Sequence, residues 1–273
     1  MMVRARRGAQ STDPAAAEPS LRAKAWAVHQ ALCEEYRCPI PYFHQLDPVS
    51  ELVSSLLSHR TRNADSGRAF ASLRARFPVW EDVRDAPTAD VERAISVVTW
   101  PEQKAPRIQQ VLREITRLRG ELSLDFLGGL TVADAREWLE ALPGVGPKTS
   151  AATLLFSTLR MPALPVDSHH HRVARRLGLI PATLAVGPAH AVLAAQLPEG
   201  WTARQLYDNH EVLMLHGQRC CYHRAPACGR CVVYALCPTG RRIHPELSAG
   251  DATGDGLPSG PGGRDGATGP PGT

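Results

Sequence analysis

Apolar residues recur three and four positions apart along most of this 273-residue chain. The segments LRAKAWAVHQALCEEY, PRIQQVLREITRLRG and TARQLYDNHEVLMLHGQRC show the spacing clearly, and it is typical of helices that bury one face. Short turns that contain Pro, Gly, Asp or Thr separate such segments, and no alternating run indicates a strand. We therefore predict an all-α fold with roughly ten helices.

The two ends of the chain depart from this pattern. Residues 1–20 are rich in Arg, Ala, Ser and Pro, and residues 246–273 are dominated by Gly and Pro without a three-residue glycine repeat. We expect a disordered arm and a disordered tail. No apolar run approaches the roughly 18 residues of a membrane span, and the start lacks the apolar core of a secretory signal, so a soluble intracellular protein is expected.

Lysine is rare among the basic residues. Of 31 Lys and Arg residues only three are Lys, at Lys24, Lys104 and Lys148, and the net charge is +4. A guanidinium is always protonated and forms no Schiff base, so a lysine that persists in such a chain marks a position where an amine is needed. The mild positive charge permits a polyanionic partner without requiring one.

Five of the seven cysteines lie close together near the end of the helical region. The odd number of cysteines and their clustering favour a metal site in a reducing compartment over a disulfide framework. Four of them follow a C-x6-C-x2-C-x5-C spacing: Cys221, Cys228, Cys231 and Cys237. Such a quartet could also surround one tetrahedral zinc ion. We interpret Cys220 as a neighbour of the site, and Cys33 and Cys38 as small buried apolar residues.

The segment from Leu142 to Thr149, LPGVGPKT, joins two helical stretches through a glycine-rich turn. Gly144 and Gly146 can adopt positive φ and leave their amides uncovered, while Pro147 suits the first turn of the next helix. The free N–H groups and the positive dipole end of that helix form an anion site suited to one backbone phosphate. The alternative is an ordinary tight turn.

Two titratable residues, Lys148 and Asp167, lie at helix starts. Lys148 lies in the first turn after the glycine-rich segment, where the helix dipole favours its neutral amine. Asp167 precedes the helix HHHRVARRLGL and is placed to cap it. The alternatives are a lysine that only grips phosphate and an aspartate that is only an N-cap. Consecutive helical histidines point about 100° apart and cannot share one ion, and we take His170 and His171 as a capping or phosphate-facing pair.

Together these motifs resemble the endonuclease III branch of the helix-hairpin-helix DNA glycosylases, over about Leu21 to Pro238. The hairpin LPGVGPKT, the segment VDSHHHR, the cysteine spacing and LLSHRTRN carry the resemblance. It implies a six-helix domain with the hairpin over residues 40–155. A second domain, made of residues 21–39 and 156–245, would hold a 4Fe–4S cluster on the cysteine quartet. DNA would bind in the cleft between the two.

The resemblance also implies a reaction. Lys148 would displace the damaged base and form a Schiff base, Asp167 would stabilise the sugar cation, and β-elimination would follow. The expected function is therefore a bifunctional glycosylase and abasic-site lyase that repairs duplex DNA at oxidised pyrimidines. A monomer in the bacterial cytoplasm, associated with the nucleoid, is the expected setting, with no membrane contact.

Some positions depart from the family pattern. Arg60 stands where the family has a Gln that fills the gap left by the flipped nucleotide, Asn63 replaces an acid, and Trp100 occupies the position of an apolar wedge. The expected DNA contacts are made by seven residues: Leu142, Gly144, Gly146, Arg60, Trp100, His169 and Arg224. Two rival functions stay open. One is mismatch-type adenine removal, disfavoured because Ser55 occupies the place of that branch's catalytic Glu, and the other is a weakly active or non-catalytic lesion-binding protein.

Overall fold

The computed structural model describes residues 20–249, and within them all regular structure is helical. This confirms the predicted all-α class. The helices are α1 (Leu21–Tyr36), α2 (Pro48–Ser58), α3 (Asn63–Arg76), α4 (Trp80–Asp85), α5 (Thr88–Ala94), α6 (Pro101–Arg119), α7 (Val132–Glu140), α8 (Pro147–Phe156), α9 (Ser168–Leu177), α10 (Val186–Ala194), α11 (Ala203–Arg219), α12 (Pro238–Ile243) and α13 (Glu246–Ala249). Three single 3-10 turns supplement them at Asp125–Gly129, Cys228–Arg230 and Tyr234–Leu236.

The segments predicted to be disordered overlap the described residues only at residue 20 and at residues 246–249. Ser20 caps α1 by accepting a hydrogen bond from the backbone of Ala23, so it does not belong to the arm. Likewise α13 is helical where the tail was predicted to begin. The remainder of both predictions lies outside the described residues. Within residues 20–249 no helix combines the length and the hydropathy needed to cross a bilayer.

The helix starts follow local sequence signals. Side chains of Asp47, Thr131 and Asp167 accept backbone hydrogen bonds at the starts of α2, α7 and α9. At the start of α11, Thr202 and Gln205 form a reciprocal capping box. These caps set where each helix begins, and therefore which side chain occupies its first turn.

Two hydrophobic cores organise the helices. The first lies among α2 to α7 and contains fully buried residues such as Leu52, Leu73, Ile108, Leu112 and Leu139. The second lies among α1, α9, α10 and α11 and contains Leu32, Val173, Leu177, Tyr207 and Leu213. The domain boundaries at residues 39/40 and 155/156 stay a prediction.

Helix α8 belongs to both cores. Ala151 and Leu154 pack in the first core, whereas Ala152, Leu155 and Phe156 pack in the second. A helix that is apolar on all sides must be buried on all sides, and every residue from 150 to 156 is buried. Only the first turn of α8 reaches the surface, at the junction of the two cores.

Cys33 and Cys38 form a disulfide, so the expectation that they are buried apolar residues is wrong. Arg37 ends α1 in the left-handed conformation, and the N–H of Cys38 donates to the carbonyl of Cys33 over 2.9 Å. This turn brings the two Cα atoms to 4.9 Å, within the range that a disulfide spans. Both residues are half-buried.

Gln109 ties three helices of the first core together. Its side chain is fully buried on α6, and its Nε2 donates to the carbonyls of Val83 (2.9 Å) and Ala86 (2.7 Å) at the end of α4. Its Oε1 accepts a hydrogen bond from Thr88 Oγ1 at the start of α5, over 2.7 Å. The amide therefore satisfies polar groups that have been removed from water.

We expect Gln109→Leu to destabilise the protein by about 2–4 kcal/mol, because two carbonyls and a hydroxyl lose their partner in a buried place. The matched control is Gln110→Leu, since Gln110 is exposed on the same helix. Urea denaturation followed by circular dichroism gives both free energies of unfolding. Equal values for the two variants would contradict the role given to Gln109.

Candidate active site and nucleic-acid interface

A cleft with about 2120 Å³ of open space lies where the first turn of α8 surfaces. It is lined by the C-terminal end of α2, by the hairpin, by the start of α9 and by part of α11. Both candidate catalytic residues, Lys148 and Asp167, line this one cleft. The cleft also takes in Arg60, Trp100 and His169.

The hairpin presents backbone amides to the cleft. Leu142 O accepts a hydrogen bond from Val145 N over 3.2 Å, and Gly144 has the left-handed φ of +78° that this turn needs. Gly146 is the N-cap of α8 at φ −113°, an ordinary value, so only one of the two glycines uses positive φ. No side chain caps α8. Its first N–H groups and its positive dipole end are therefore free for an anion.

Lys148 occupies the first turn of α8 and is half-buried. Burial lowers the pKa of its amine, and the carboxylates of Glu51 and Asp167 oppose this by favouring the ammonium form. Within residues 20–249 no hydrogen bond or ion pair holds the amine. The amine is therefore open to the cleft, and more of it is neutral than in an exposed lysine.

Asp167 is the N-cap of α9, as predicted. Its Oδ1 accepts a hydrogen bond from the backbone N–H of His170 over 2.7 Å. Burial acts to raise the pKa of Asp167, but electrostatic attraction to His210 when its imidazole is protonated, together with the N–H of His170, outweighs it, and the pKa lies below its usual value. The side chain is a carboxylate at neutral pH and can stabilise a positive charge in the cleft.

The three adjacent histidines have different surroundings. His169 lines the cleft, in agreement with its expected position. His170 and His171 are 1% and 9% exposed, so the expectation that they cap the helix or face phosphate is wrong. The side chain of His171 instead lies 2.8 Å from the carbonyl of Leu184. His170 and His171 face the second core because they lie on the buried side of α9.

Two other predicted DNA contacts lie elsewhere. Leu142 is 2% exposed and packs in the first core, so its side chain does not face the cleft. Arg224 is exposed on the loop between Cys221 and Cys228 and is not among the residues that line the cleft. That loop is held by Arg176, whose guanidinium donates to the carbonyls of Tyr222 and His223. A DNA contact by Arg224 stays a prediction.

Arg60 and Trp100 face each other at the cleft. The guanidinium carbon of Arg60 lies 5.7 Å from the centre of the Trp100 ring. Both residues have left-handed φ values, +51° and +57°, which are uncommon for residues with large side chains. Such strain persists only where neighbouring contacts enforce it.

Arg107 is a site residue that the sequence analysis missed. Its exposed side chain lines the cleft and lies against Gly144, so that a Cβ at Gly144 would overlap the guanidinium. Within the described chain no carboxylate pairs with it. No motif marks this position, because its closeness to the hairpin arises from the packing of α6.

All five clustered cysteines line one small pocket beside α9, α11 and α12. Cys221 Sγ accepts a hydrogen bond from Arg176 over 3.2 Å, and Cys237 Sγ accepts one from the N–H of Gly240 over 3.2 Å. Burial raises the pKa of Cys228 and Cys237, and raises that of Cys231 to about 12. Thiolates here would thus need a metal centre to stabilise them. The N–H groups of Arg176 and Gly240 that donate to two of the sulfurs suit such a centre.

Among the described residues the closest possible metal ligands are those of His216, Cys220 and Cys231, whose ligand atoms lie within 4.8 Å of one another. That spacing fits a single ion, since tetrahedral zinc with bonds of about 2.3 Å separates its ligands by about 3.8 Å. A four-iron cluster is larger and needs its cysteines further apart. Cys220, which the sequence analysis set aside, is therefore part of a possible His/Cys metal site.

Residues 53–197 match the HhH-GPD superfamily of base excision DNA repair proteins. Endonuclease III from Thermotoga maritima is 31% identical over 199 residues, which cover 72% of this chain and 86% of that protein. The chain belongs to the endonuclease III family. A putative DNA glycosylase from Arabidopsis thaliana is 36% identical over 169 residues, covering 62% of this chain and 56% of that protein, so the chain spans little more than half of that relative.

Solved structures support the same fold. An endonuclease III in a non-covalent complex with DNA aligns with a TM-score of 0.70 at 20% identity, over 82% of this chain and 98% of that one. A thermostable thymine-DNA glycosylase aligns with a TM-score of 0.67 at 20% identity, over 80% and 97%. The part that matches the base excision repair superfamily contains the hairpin, Lys148 and Asp167, while the clustered cysteines follow it.

We expect Gly144→Ala to weaken binding to duplex DNA about tenfold, the equivalent of 1.4 kcal/mol, because the new methyl group would displace Arg107 and strain the hairpin. The control is Gly120→Ala. Gly120 has a similar φ of +79° but open space around it. Both variants should lose about 1–2 kcal/mol of stability, and fluorescence anisotropy should show a loss of affinity only for Gly144→Ala. Equal affinities would contradict the hairpin's role.

Proposed function

We propose that this protein is a bifunctional DNA N-glycosylase and abasic-site β-lyase of base excision repair that acts on oxidised pyrimidines in duplex DNA. The observation that carries the proposal is the shared cleft, in which the unpaired amine of Lys148 and the carboxylate of Asp167 face the same space. That space is large enough for an extruded nucleotide.

The chemistry follows from these two groups. The neutral amine of Lys148 attacks C1′ of the extruded nucleotide while the C1′–N bond breaks, and the base leaves with the bonding electrons and takes up a proton. The carboxylate of Asp167 stabilises the positive charge that develops on the sugar. The nitrogen bonded to C1′ then passes a proton to the ring oxygen O4′ as the C1′–O4′ bond breaks, and the sugar opens to an imine. Loss of a proton from C2′ expels the 3′ phosphate and completes the β-elimination.

The surrounding residues would hold the DNA. The free amides at the start of α8 suit a backbone phosphate, and Arg107 adds a positive charge beside Gly144. These contacts carry no sequence information, which suits an enzyme that must scan any sequence. We propose a monomer that acts on DNA in the bacterial cytoplasm.

We further propose that Cys221, Cys228, Cys231 and Cys237 hold a 4Fe–4S cluster. Their spacing, the shared cavity and the N–H donors to two of the sulfurs support it. When bound, such a cluster supplies one-electron redox chemistry, which base excision does not require. The cysteines themselves would join the end of α11 to α12 and to the loop that carries Arg224.

One observation favours a second candidate, a lesion-binding protein without catalysis. Arg60 stands in place of the family's Gln, and a changed filler residue alters how the gap in the duplex is occupied. Mismatch-type adenine removal is less suited to this cleft, because the relevant position is Ser55. The hydroxyl of Ser55 donates to buried Glu51 over 3.1 Å and offers no carboxylate to the cleft.

Borohydride trapping on an abasic-site duplex tests the lyase. Wild type should form a covalent adduct and Lys148→Gln should form none, whereas Lys24→Gln, the control on α1, should react like wild type. Because burial lowers the pKa of Lys148, the rate should rise with pH and level off below pH 10.5, the ordinary lysine value. Binding of lesion duplexes by wild type without any adduct would favour the lesion-binding protein.

Iron analysis and visible absorbance test the cluster. Cys228→Ala and Cys237→Ala should each lose the iron and the absorbance, since each removes a thiolate ligand, while Cys220→Ser should keep both. Loss of iron in Cys220→Ser with retention in Cys221→Ser would instead assign Cys220 as a ligand. Purified protein that holds zinc and no iron would rule the cluster out.

A further inference from the structure

Lys104 is a buried lysine that the proposed chemistry does not use. It lies in the first turns of α6 and is 8% exposed. Its Nζ donates three hydrogen bonds, to Leu57 O (2.7 Å), to His59 O (2.8 Å) and to Thr61 Oγ1 (2.8 Å). An ammonium has three donors, so this group is fully satisfied by the segment that follows α2.

The geometry explains why this position has kept a lysine in an arginine-rich chain. Three oxygens converge on one nitrogen, which suits a tetrahedral ammonium. A guanidinium spreads its donors over a planar fork and is bulkier, so it cannot direct three of them to one point in this buried place.

The hydrogen bonds of Lys104 reach the two segments that carry Arg60 and Trp100. Thr61 follows Arg60, and its hydroxyl oxygen accepts from Lys104 and also from the N–H of Thr99 over 3.2 Å. Thr99 precedes Trp100, which begins α6 as its N-cap. One ammonium and one hydroxyl therefore connect the residue after Arg60 to the residue before Trp100.

This connection holds the neighbours of the two residues whose backbone is strained, Arg60 and Trp100. Arg60 and Trp100 hold left-handed φ values that large side chains rarely adopt, and fixed neighbours are needed to maintain them. The result is that an exposed guanidinium and an indole ring that is 42% exposed face each other at the cleft. Both have planar faces that stack on nucleobases.

We propose that Lys104 is a positioning residue that joins the two segments into one preformed probe, made of Arg60 and Trp100, which inserts into the duplex and promotes extrusion of the target nucleotide. This inference rests on the proposed function and deepens it. Extrusion costs a few kcal/mol, and a probe that is ordered before binding loses less entropy when it inserts. The chemistry at Lys148 does not depend on the probe once the nucleotide is already unpaired.

The first experiment measures insertion directly. The substrate is a duplex with a tetrahydrofuran abasic analogue opposite 2-aminopurine, whose fluorescence rises when the base is unstacked. Thr61→Val removes the shared acceptor while keeping the shape, and Thr61→Ser is the matched control that keeps the hydroxyl. At saturating protein, the equilibrium between inserted and stacked states should fall about tenfold for Thr61→Val and stay unchanged for Thr61→Ser.

The second experiment separates positioning from a general loss of structure. Borohydride trapping is compared on an abasic site in single-stranded DNA and on the same site in a duplex, for wild type, Thr61→Val and Lys104→Met. Both variants should react about tenfold more slowly on the duplex and like wild type on the single strand. Lys24→Met removes the same charge from α1 and should leave both rates unchanged.

The outcomes are distinct. Equal losses on single-stranded and duplex DNA, or no change in 2-aminopurine fluorescence for Thr61→Val, would overturn the inference while leaving the lyase in place. If wild type fails to form an adduct on any abasic DNA, the proposed function fails, and the fluorescence experiment still decides whether Lys104 and Thr61 position the probe.

Discussion

The burial of α8 between the two hydrophobic cores governs how the other helices and the cleft are arranged. Its residues alternate between the two cores, so neither core is complete without it. Because the helix is buried along its length, its only free part is its first turn, and that turn carries Lys148. The position of the amine at the cleft is therefore a consequence of core packing, and it is as stable as the fold itself.

The two charged groups of the cleft are tuned by different surroundings. Burial lowers the pKa of Lys148 and favours the neutral amine. At Asp167, the same effect is overcome by His210 and a helix-capping N–H, which favour the carboxylate. The neutral fraction of the amine is thus larger than in an exposed lysine, while Asp167 stays ionised at neutral pH. Each residue begins its own helix, but the helix terminus acts in opposite senses on a cation and on an anion.

Three expectations from the sequence agree with the structure because they depend on local signals. The N-cap role of Asp167, the first-turn position of Lys148 and the tight turn at Gly144 follow from capping and turn chemistry within a few residues. Some of the expectations that failed depended on which side of a segment is buried in the folded chain. Leu142 is buried in the turn between α7 and α8, and His170 and His171 are buried on α9, although the polar side chain of histidine does not mark a buried face.

Local sequence patterns specify the helical class, the helix starts and the identity of the groups able to do chemistry, since these depend on neighbours along the chain. Which of those groups meet is set by tertiary packing. Arg107 beside Gly144 and the contacts of Lys104 with residues more than forty positions earlier have no counterpart in any motif. They arise because packing of distant helices brings side chains together at distances that spacing along the chain does not encode.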